Sequence, residues 1–183
     1  MPNLGCECYL PSNLMPESKI RIGLLSDTHG YWDNRMDHYL ESVDEIWHAG
    51  DIGSFTVLDA MARIAPVKAV FGNIDDHKMR CELPETIEWE VNGLKFFMIH
   101  IGGRPGRYAS GVRRLLQEKQ PDIFICGHSH LLRVEKDTSW GGLYINPGAA
   151  GKHGFHKVRT LLRFDVNSGI IENLEVVELE RVR

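Results

Sequence analysis

Residues 19–26 read Lys-Ile-Arg-Ile-Gly-Leu-Leu-Ser, apolar enough to predict a central strand rather than an edge strand. Between residues 34 and 43, Met36, Tyr39, Leu40 and Val43 recur at helical spacing. Residues 45–48 predict a short second strand. Ser54 is placed to cap a helix running to about Ile64, with Val57, Leu58 and Met61 turned inward. Pro66 ends it, residues 67–71 predict a third strand, and Gly72-Asn73-Ile74-Asp75 reads as a turn. A β–α–β–α–β order favours a parallel sheet with right-handed crossovers.

The second half is richer in strands. Residues 86–91 and 94–100 flank Asn92-Gly93, a strong hairpin signal. A glycine-rich loop, 102–106, precedes a helix expected over 108–120. Residues 122–126 form a strand, and 131–136, 143–146, 158–166 and 170–179 complete a largely antiparallel set, with Asn167-Ser168-Gly169 as a turn. The pattern predicts one α/β domain over residues 19–183, with mixed β-layers between helices, behind a flexible tail at 1–18.

Each of five predicted segments runs into polar chemistry. The first leads to Asp27 and His29, the second to Asp51, the third to Asn73, the strand at 94–100 to His100, and that at 122–126 to His128 and His130. Period-two alternation aims the two residues of each x-spaced pair in one direction. Singly, each has a bland explanation: a hydrogen-bonded strand-end histidine, a helix cap at Asp51, a turn residue at Asn73. Seven such residues, on the rim where open α/β sheets bind ligands, make that account poor. Four thiolates would mean structural zinc and an all-oxygen cage Ca²⁺ or Mg²⁺, whereas imidazoles beside carboxylates suit Mn²⁺, Fe or Zn²⁺. Seven donors exceed one tetrahedral site, so two ions ~3.5–4 Å apart that share a carboxylate fit better.

In chain order, Asp27-x-His29, Gly50-Asp51, Gly72-Asn73-x-Asp75, His100 and Gly127-His128-x-His130 resemble the signature of calcineurin-like metallophosphoesterases. The resemblance spans residues 20–179 and points to the small bacterial and archaeal phosphodiesterases of that superfamily. It implies a four-layer αββα sandwich of α/β (α+β) class with mixed sheets. It places Asp27, His29 and His130 on a first metal, Asn73, His100 and His128 on a second, and Asp51 between them. Asp51, Asn73 and His100 would also serve catalysis. The implied reaction is in-line attack on a phosphodiester by a hydroxide bridging two divalent ions, Mn²⁺ foremost, with Zn²⁺, Fe or Ni²⁺ as alternatives. The rival readings are a non-catalytic scaffold, like the retromer subunit of this fold, or a phosphomonoesterase or nuclease. Asn146-Pro147-Gly148 resembles the family's downstream loop. Two departures stand out: Ile101 where glycine is common, and Ile74 where relatives carry a histidine that assists the leaving group. His77, three residues on, is the candidate replacement.

Composition narrows the partners. The 183 residues carry a net charge of −4 and no long basic run, so no nucleic-acid footprint is visible. Two divalent ions, two carboxylates and a hydroxide would still leave about +1 at the site, enough to attract a small phosphoester. Arg104 and Arg107 are candidates for holding a non-reacting phosphate, and His153 and His156 for lining the entrance. Residues 1–18 lack a secretory signal and no segment matches a membrane span, so a cytoplasmic protein with reduced thiols is expected. Cys6 and Cys8 read as incidental to the tail, and Met15 as an alternative start. Oligomeric state, including a homo-oligomer, is left open.

Overall fold

The computed structural model describes residues 18–181; the expected tail, with Cys6, Cys8 and Met15, lies outside the described residues apart from Ser18. The opening order forms as expected: β1 (Ile20–Leu25), α1 (Asn34–Leu40), β2 (Glu45–His48), α2 (Phe55–Ala62) and β3 (Val67–Ala69). Asp33 caps α1 by accepting from the N–H groups of Arg35 and Met36, and Ser54 caps α2 by accepting from Thr56. β1, β2 and β3 are parallel neighbours.

Two elements were not anticipated. Residues 77–82 form α3 (His77–Glu82), capped by the Asp76 carboxylate on the Met79 N–H; six residues are too few for a helical period to show. The glycine-rich loop folds back as a small hairpin, β6 (Gly103–Arg104) with β7 (Arg107–Tyr108). It consumes the expected start of the following helix, so α4 (Val112–Lys119) begins only after Gly111, whose φ is 81°. β4 (Thr86–Val91) and β5 (Leu94–Ile99) form the hairpin on Asn92-Gly93, with φ of 48° and 78° as a two-residue primed turn requires.

The remaining strands are β8 (Ile123–Ile125), β9 (Leu132–Lys136), β10 (Leu143–Pro147), β11 (Val158–Asn167) and β12 (Ile170–Arg181). They divide between two five-stranded mixed sheets, ordered β12-β11-β1-β2-β3 and β4-β5-β8-β10-β9. The last four are therefore not one antiparallel set. β11 and β12 join the first sheet beside β1, whereas β10 lies parallel to β8 in the second.

Alternation along the strands builds four layers. Ile22, Leu24, Trp47, Phe96, Ile123, Ile125 and Phe164 pack between the sheets. Their sequence neighbours face outward: Leu25 and Ile46 pack under Met36, Leu40, Val57 and Met61 of α1 and α2. Phe97, Phe124 and Tyr144 pack under Val112 and Leu116 of α4. The result is the αββα sandwich. Trp47 sits at its centre, edge-on to Trp89, Phe96 and Phe164 at centroid distances of 4.8, 4.8 and 5.7 Å. Among the described residues no helix is long and apolar enough to cross a membrane.

A buried hydrogen-bond chain joins the loops after β1 and β2. The Gly50 N–H donates to His48 Nδ1 (3.1 Å), which fixes the proton on Nε2. Nε2 donates to Thr28 Oγ1 (3.0 Å), and that hydroxyl donates to the Ile52 carbonyl (3.0 Å). His48 is fully buried, and burial lowers its pKa to about 4. Below about pH 6.5 the unfolded chain gains a proton that the folded one refuses until about pH 4. Stability from this group is therefore complete above that range and is lost as pH falls through it, by up to about 3 kcal/mol. Urea unfolding in chelator between pH 7 and 4.5 should show a steep loss in wild type and a flatter one in His48→Gln. Equal slopes would refute the assignment.

Candidate metal centre

Six of the seven expected donors gather at one rim in two clusters. Asp27, His29 and His130 each bring a ligand atom within 4.8 Å of the others, and Asp51, His100 and His128 do the same. Strand alternation is not what aligns them. β1 stops at Leu25 and β8 at Ile125, and the donors lie in the loops beyond. Asp27, His29, Asp51, His128 and His130 all adopt left-handed backbone, with φ of 55°, 48°, 56°, 67° and 57°. Asp and His are among the few residues with side chains that enter this region readily. In Asp27-Thr28-His29 the curl turns Thr28 into the core and leaves its neighbours facing the rim.

Backbone hydrogen bonds hold these loops side by side. The Asp27 N–H donates to Gly50 O, His29 to Asp51 O, and Gly127 to His100 O, each at 3.0 Å. Two glycines permit the close approach: a Cβ on Gly72 would strike the Asp51 carboxylate, and one on Gly127 would strike Ser26 Oγ and Asp27 Oδ2. Asp51 is not a helix cap, since Ser54 fills that role.

The two carboxylates are oriented atom by atom. Asp27 Oδ2 accepts from the His128 N–H (3.0 Å), while Oδ1 lies 3.1 Å from His130 Nε2 and 4.0 Å from His29 and His100 Nε2. Asp51 Oδ1 accepts from the Ile74 N–H (3.0 Å) and lies 3.2 Å from His100 Nε2. Its Oδ2 turns the other way, 3.7 Å from His29 Nε2 in the first cluster. His100 Nδ1–H donates to the Ala49 carbonyl (2.7 Å), which aims Nε2 at the carboxylates; burial opposes a charge on the ring, but the Asp51 and Asp27 carboxylates outweigh it and raise its pKa. Burial pushes the Asp51 pKa up, but the His100 imidazole and the Ile74 N–H outweigh it and hold the group below its ordinary value. Burial lowers the pKa of His29 despite both carboxylates, which favours the neutral, ligand-competent imidazole.

This donor set fits cations. Asp27 Oδ1 and His100 Nε2 are buried side-chain atoms with no hydrogen-bond partner, and His29 and His130 bring their Nε2 atoms to 3.3 Å. Buried acceptors facing one another without donors are costly unless positive charge lies between them.

Asn73, the seventh residue, is exposed at the edge of the second cluster, between Gly72 and Ile74, which both touch Asp51. Three residues whose supporting roles the sequence did not reveal fix its loop and its surroundings. Asp75 is buried and accepts from the N–H groups of Ile52, Gly53 and Gly72 at 3.2, 2.6 and 2.7 Å. Arg80 on α3 donates to the carbonyls of Gly72, Asn73 and Asp75. Asn146, buried in β10 rather than in a turn, donates to Gly127 O and Ser129 Oγ and accepts from Gly148 N–H. The motif spacing signalled Asp75 and Asn146; nothing local signalled Arg80.

The remaining candidates separate. His77 begins α3, exposed, with its ring beside Cys81 of the same helix (3.7 Å). Ile74 is 43% exposed, so the position offers no proton donor. His153 and His156 pack on the first cluster, with ring centroids 4.9 Å from His29 and 5.2 Å from His130. Two cavities flank the second cluster. One of about 550 Å³ reaches Asn73 and His100 between apolar walls from Phe71, Ile99, Ile101 and Leu115. The other, about 340 Å³, reaches His128 and contains Arg104, Arg107 and Arg133.

Comparisons with known proteins identify the family and the fold. Residues 20–169 match the family model of the calcineurin-like phosphoesterase superfamily domain. A probable metallophosphoesterase of Methanothermobacter thermautotrophicus is 31% identical over 137 residues, 70% of this chain and 76% of that protein. An archaeal phosphodiesterase of known structure superimposes with a TM-score of 0.68 at 23% identity, over 87% of this chain and 99% of the other. Vps29 of Entamoeba histolytica in complex with Zn²⁺ does so with a TM-score of 0.68 at 18% identity, over 88% and 100%. The chain belongs to the calcineurin-like phosphoesterase superfamily.

Proposed function

We propose that the protein is a metal-dependent phosphodiesterase with a two-ion centre bridged by Asp51. The observation that carries this reading is the division of the Asp51 carboxylate, one oxygen toward His29 and the other toward His100. Asp27, His29 and His130 would hold one ion, and Asn73, His100 and His128 the other. Two divalent ions there would supply Lewis-acid charge to the phosphate oxygens and acidify the attacking water. The chain's own contribution is placement. The Ala49 carbonyl fixes the His100 tautomer, the His128 and Ile74 N–H groups each orient one carboxylate oxygen, and the Gly72 and Gly127 approaches draw the loops together. Two cavities reaching different donors of the second cluster leave room for two ester arms, which favours a diester over a monoester. The similar fold of an archaeal phosphodiesterase supports the same class. A scaffold that had abandoned the chemistry would not need all seven donors, and every one is present.

Asp51→Ala should lower turnover by more than about 10²-fold, beyond the 10–100-fold loss typical of an outer-sphere partner. Near-wild-type turnover with full metal content, read by elemental analysis, would refute the bridge. Chelation should abolish activity, and Mn²⁺ should restore it better than Mg²⁺, because imidazole donors select against the harder ion. Full recovery with Mg²⁺ alone would contradict the donor assignment.

Because Ile74 stands where a proton donor would sit and His77 faces Cys81, the leaving group departs without a positioned acid, an aid worth 10²–10⁴-fold elsewhere. A series of phosphodiesters should therefore show turnover rising steeply with leaving-group acidity, alike in wild type and in His77→Ala. A flat series in wild type that steepens in the variant would make His77 the acid.

A further inference from the structure

The 340 Å³ cavity beside His128 differs in charge from its larger neighbour. Three guanidinium groups line it, from Arg104, Arg107 and Arg133, and no carboxylate does. Arg133 is matched by Glu135, with Nη2 and Oε1 2.9 Å apart. Arg104 and Arg107 are exposed and enter none of the ion pairs formed among the described residues. Moreover, they are direct cross-strand partners in the β6–β7 hairpin. Residues so paired project to one side with Cβ atoms about 4.5–5.5 Å apart, and like charges there repel. A cross-strand Arg–Arg pair is a local cost that an anion held between the two forks would reverse.

Hydrogen-bond accounting points the same way. Both tyrosine hydroxyls of the cavity are committed inward, Tyr108 to the Asp137 carboxylate and Tyr144 to the Gly103 carbonyl. The Ser129 hydroxyl already accepts from Asn146 Nδ2 and the Leu131 N–H, which leaves its own proton free to donate. What remains facing the cavity is a set of donors without acceptors. The larger cavity differs in charge: its one guanidinium, Arg80, spends three hydrogen bonds on neighbouring carbonyls, and a carboxylate, Glu85, lines it as well.

We propose that the cavity beside His128 is an anion subsite, in which Arg104 and Arg107 clamp a second, non-scissile phosphate of the substrate. This rests on the phosphodiesterase reading and names the substrate class: diesters with one arm bearing a further phosphate and the other an aryl or nucleoside group suited to the apolar cavity. The two cavities meet at Ala109 and reach different donors of the second cluster, Asn73 and His100 in one and His128 in the other, so the two ends of the substrate set its direction before the scissile bond meets the metal centre.

The test uses the metal-loaded full chain and a matched pair of compounds. These are the p-nitrophenyl ester of thymidine 5′-phosphate and the same ester carrying a 3′-phosphate, identical in leaving group. The ratio of their kcat/KM values, taken on one enzyme, should favour the bisphosphate by at least about tenfold in wild type, mostly through KM. In Arg104→Gln/Arg107→Gln, exposed positions outside the packed layers, the ratio should fall to near one. A ratio near one in wild type, or an unchanged ratio in the double variant, overturns the subsite. Titration calorimetry with thymidine 3′,5′-bisphosphate reads the same site without turnover. Tenfold weaker binding to the double variant supports the subsite even if neither ester is cleaved, an outcome that would remove only the phosphodiesterase reading. Equal binding to both proteins overturns the subsite whatever the activity.

Discussion

Two carboxylates, Asp27 and Asp51, are buried side by side beyond the ends of adjacent parallel strands, and the surrounding rim is built to keep them aimed. Each accepts a backbone N–H on one oxygen, from His128 and Ile74 respectively; Asp27 keeps its other oxygen for the imidazoles, and Asp51 turns one oxygen to His100 and the other to His29. A lone buried carboxylate would take up a proton; at Asp51 the His100 imidazole and the Ile74 N–H outweigh burial. From that constraint follow the glycines that let the loops touch, the tautomer lock on His100, and the Asp75 and Arg80 contacts behind Asn73.

The sandwich serves this rim by being stiff where the rim is irregular. Both faces of each sheet are covered, by the shared core on one side and helices on the other, so the strand ends are fixed in height and spacing. Donor positions are then set by short loops whose backbones are tied across strands rather than along them. His48 shows the same economy: one neutral imidazole, buried beneath the rim, links the loops after β1 and β2 through a single directed chain.

Much of this was legible in the chain, for identifiable reasons. The β–α–β–α–β opening shows because Met36, Leu40, Val57 and Met61 keep helical spacing, and the β4–β5 hairpin because Asn92-Gly93 favours a two-residue turn. The donors show because their residue types are poor strand-end neighbours without a shared partner. What escaped depends on contacts distant in sequence or on elements too short to carry a period. α3 occupies six residues, β11 inserts beside β1 across more than 130 positions, and the Arg80 contacts exist only once α3 has folded. The parallel aim of Asp27 and His29 was expected from strand alternation; it arises instead from left-handed loop backbone, which a pattern of apolar and polar residues does not encode.

That left-handed backbone bears on the history open to such a fold. Five donor positions sit in a conformation costing side-chain-bearing residues about 1 kcal/mol or more each, and glycine nothing. Folding alone asks for Asp27 and Asp51 only through the N–H groups of His128 and Ile74 that they accept, and for His29, His128 and His130 not through their backbone, where glycine relaxes the chain while erasing the chemistry. A lineage released from catalysis would drift downhill to an intact sandwich with an inert rim. One that retains every donor at these strained positions carries, in its backbone, a standing record of selection for their chemistry.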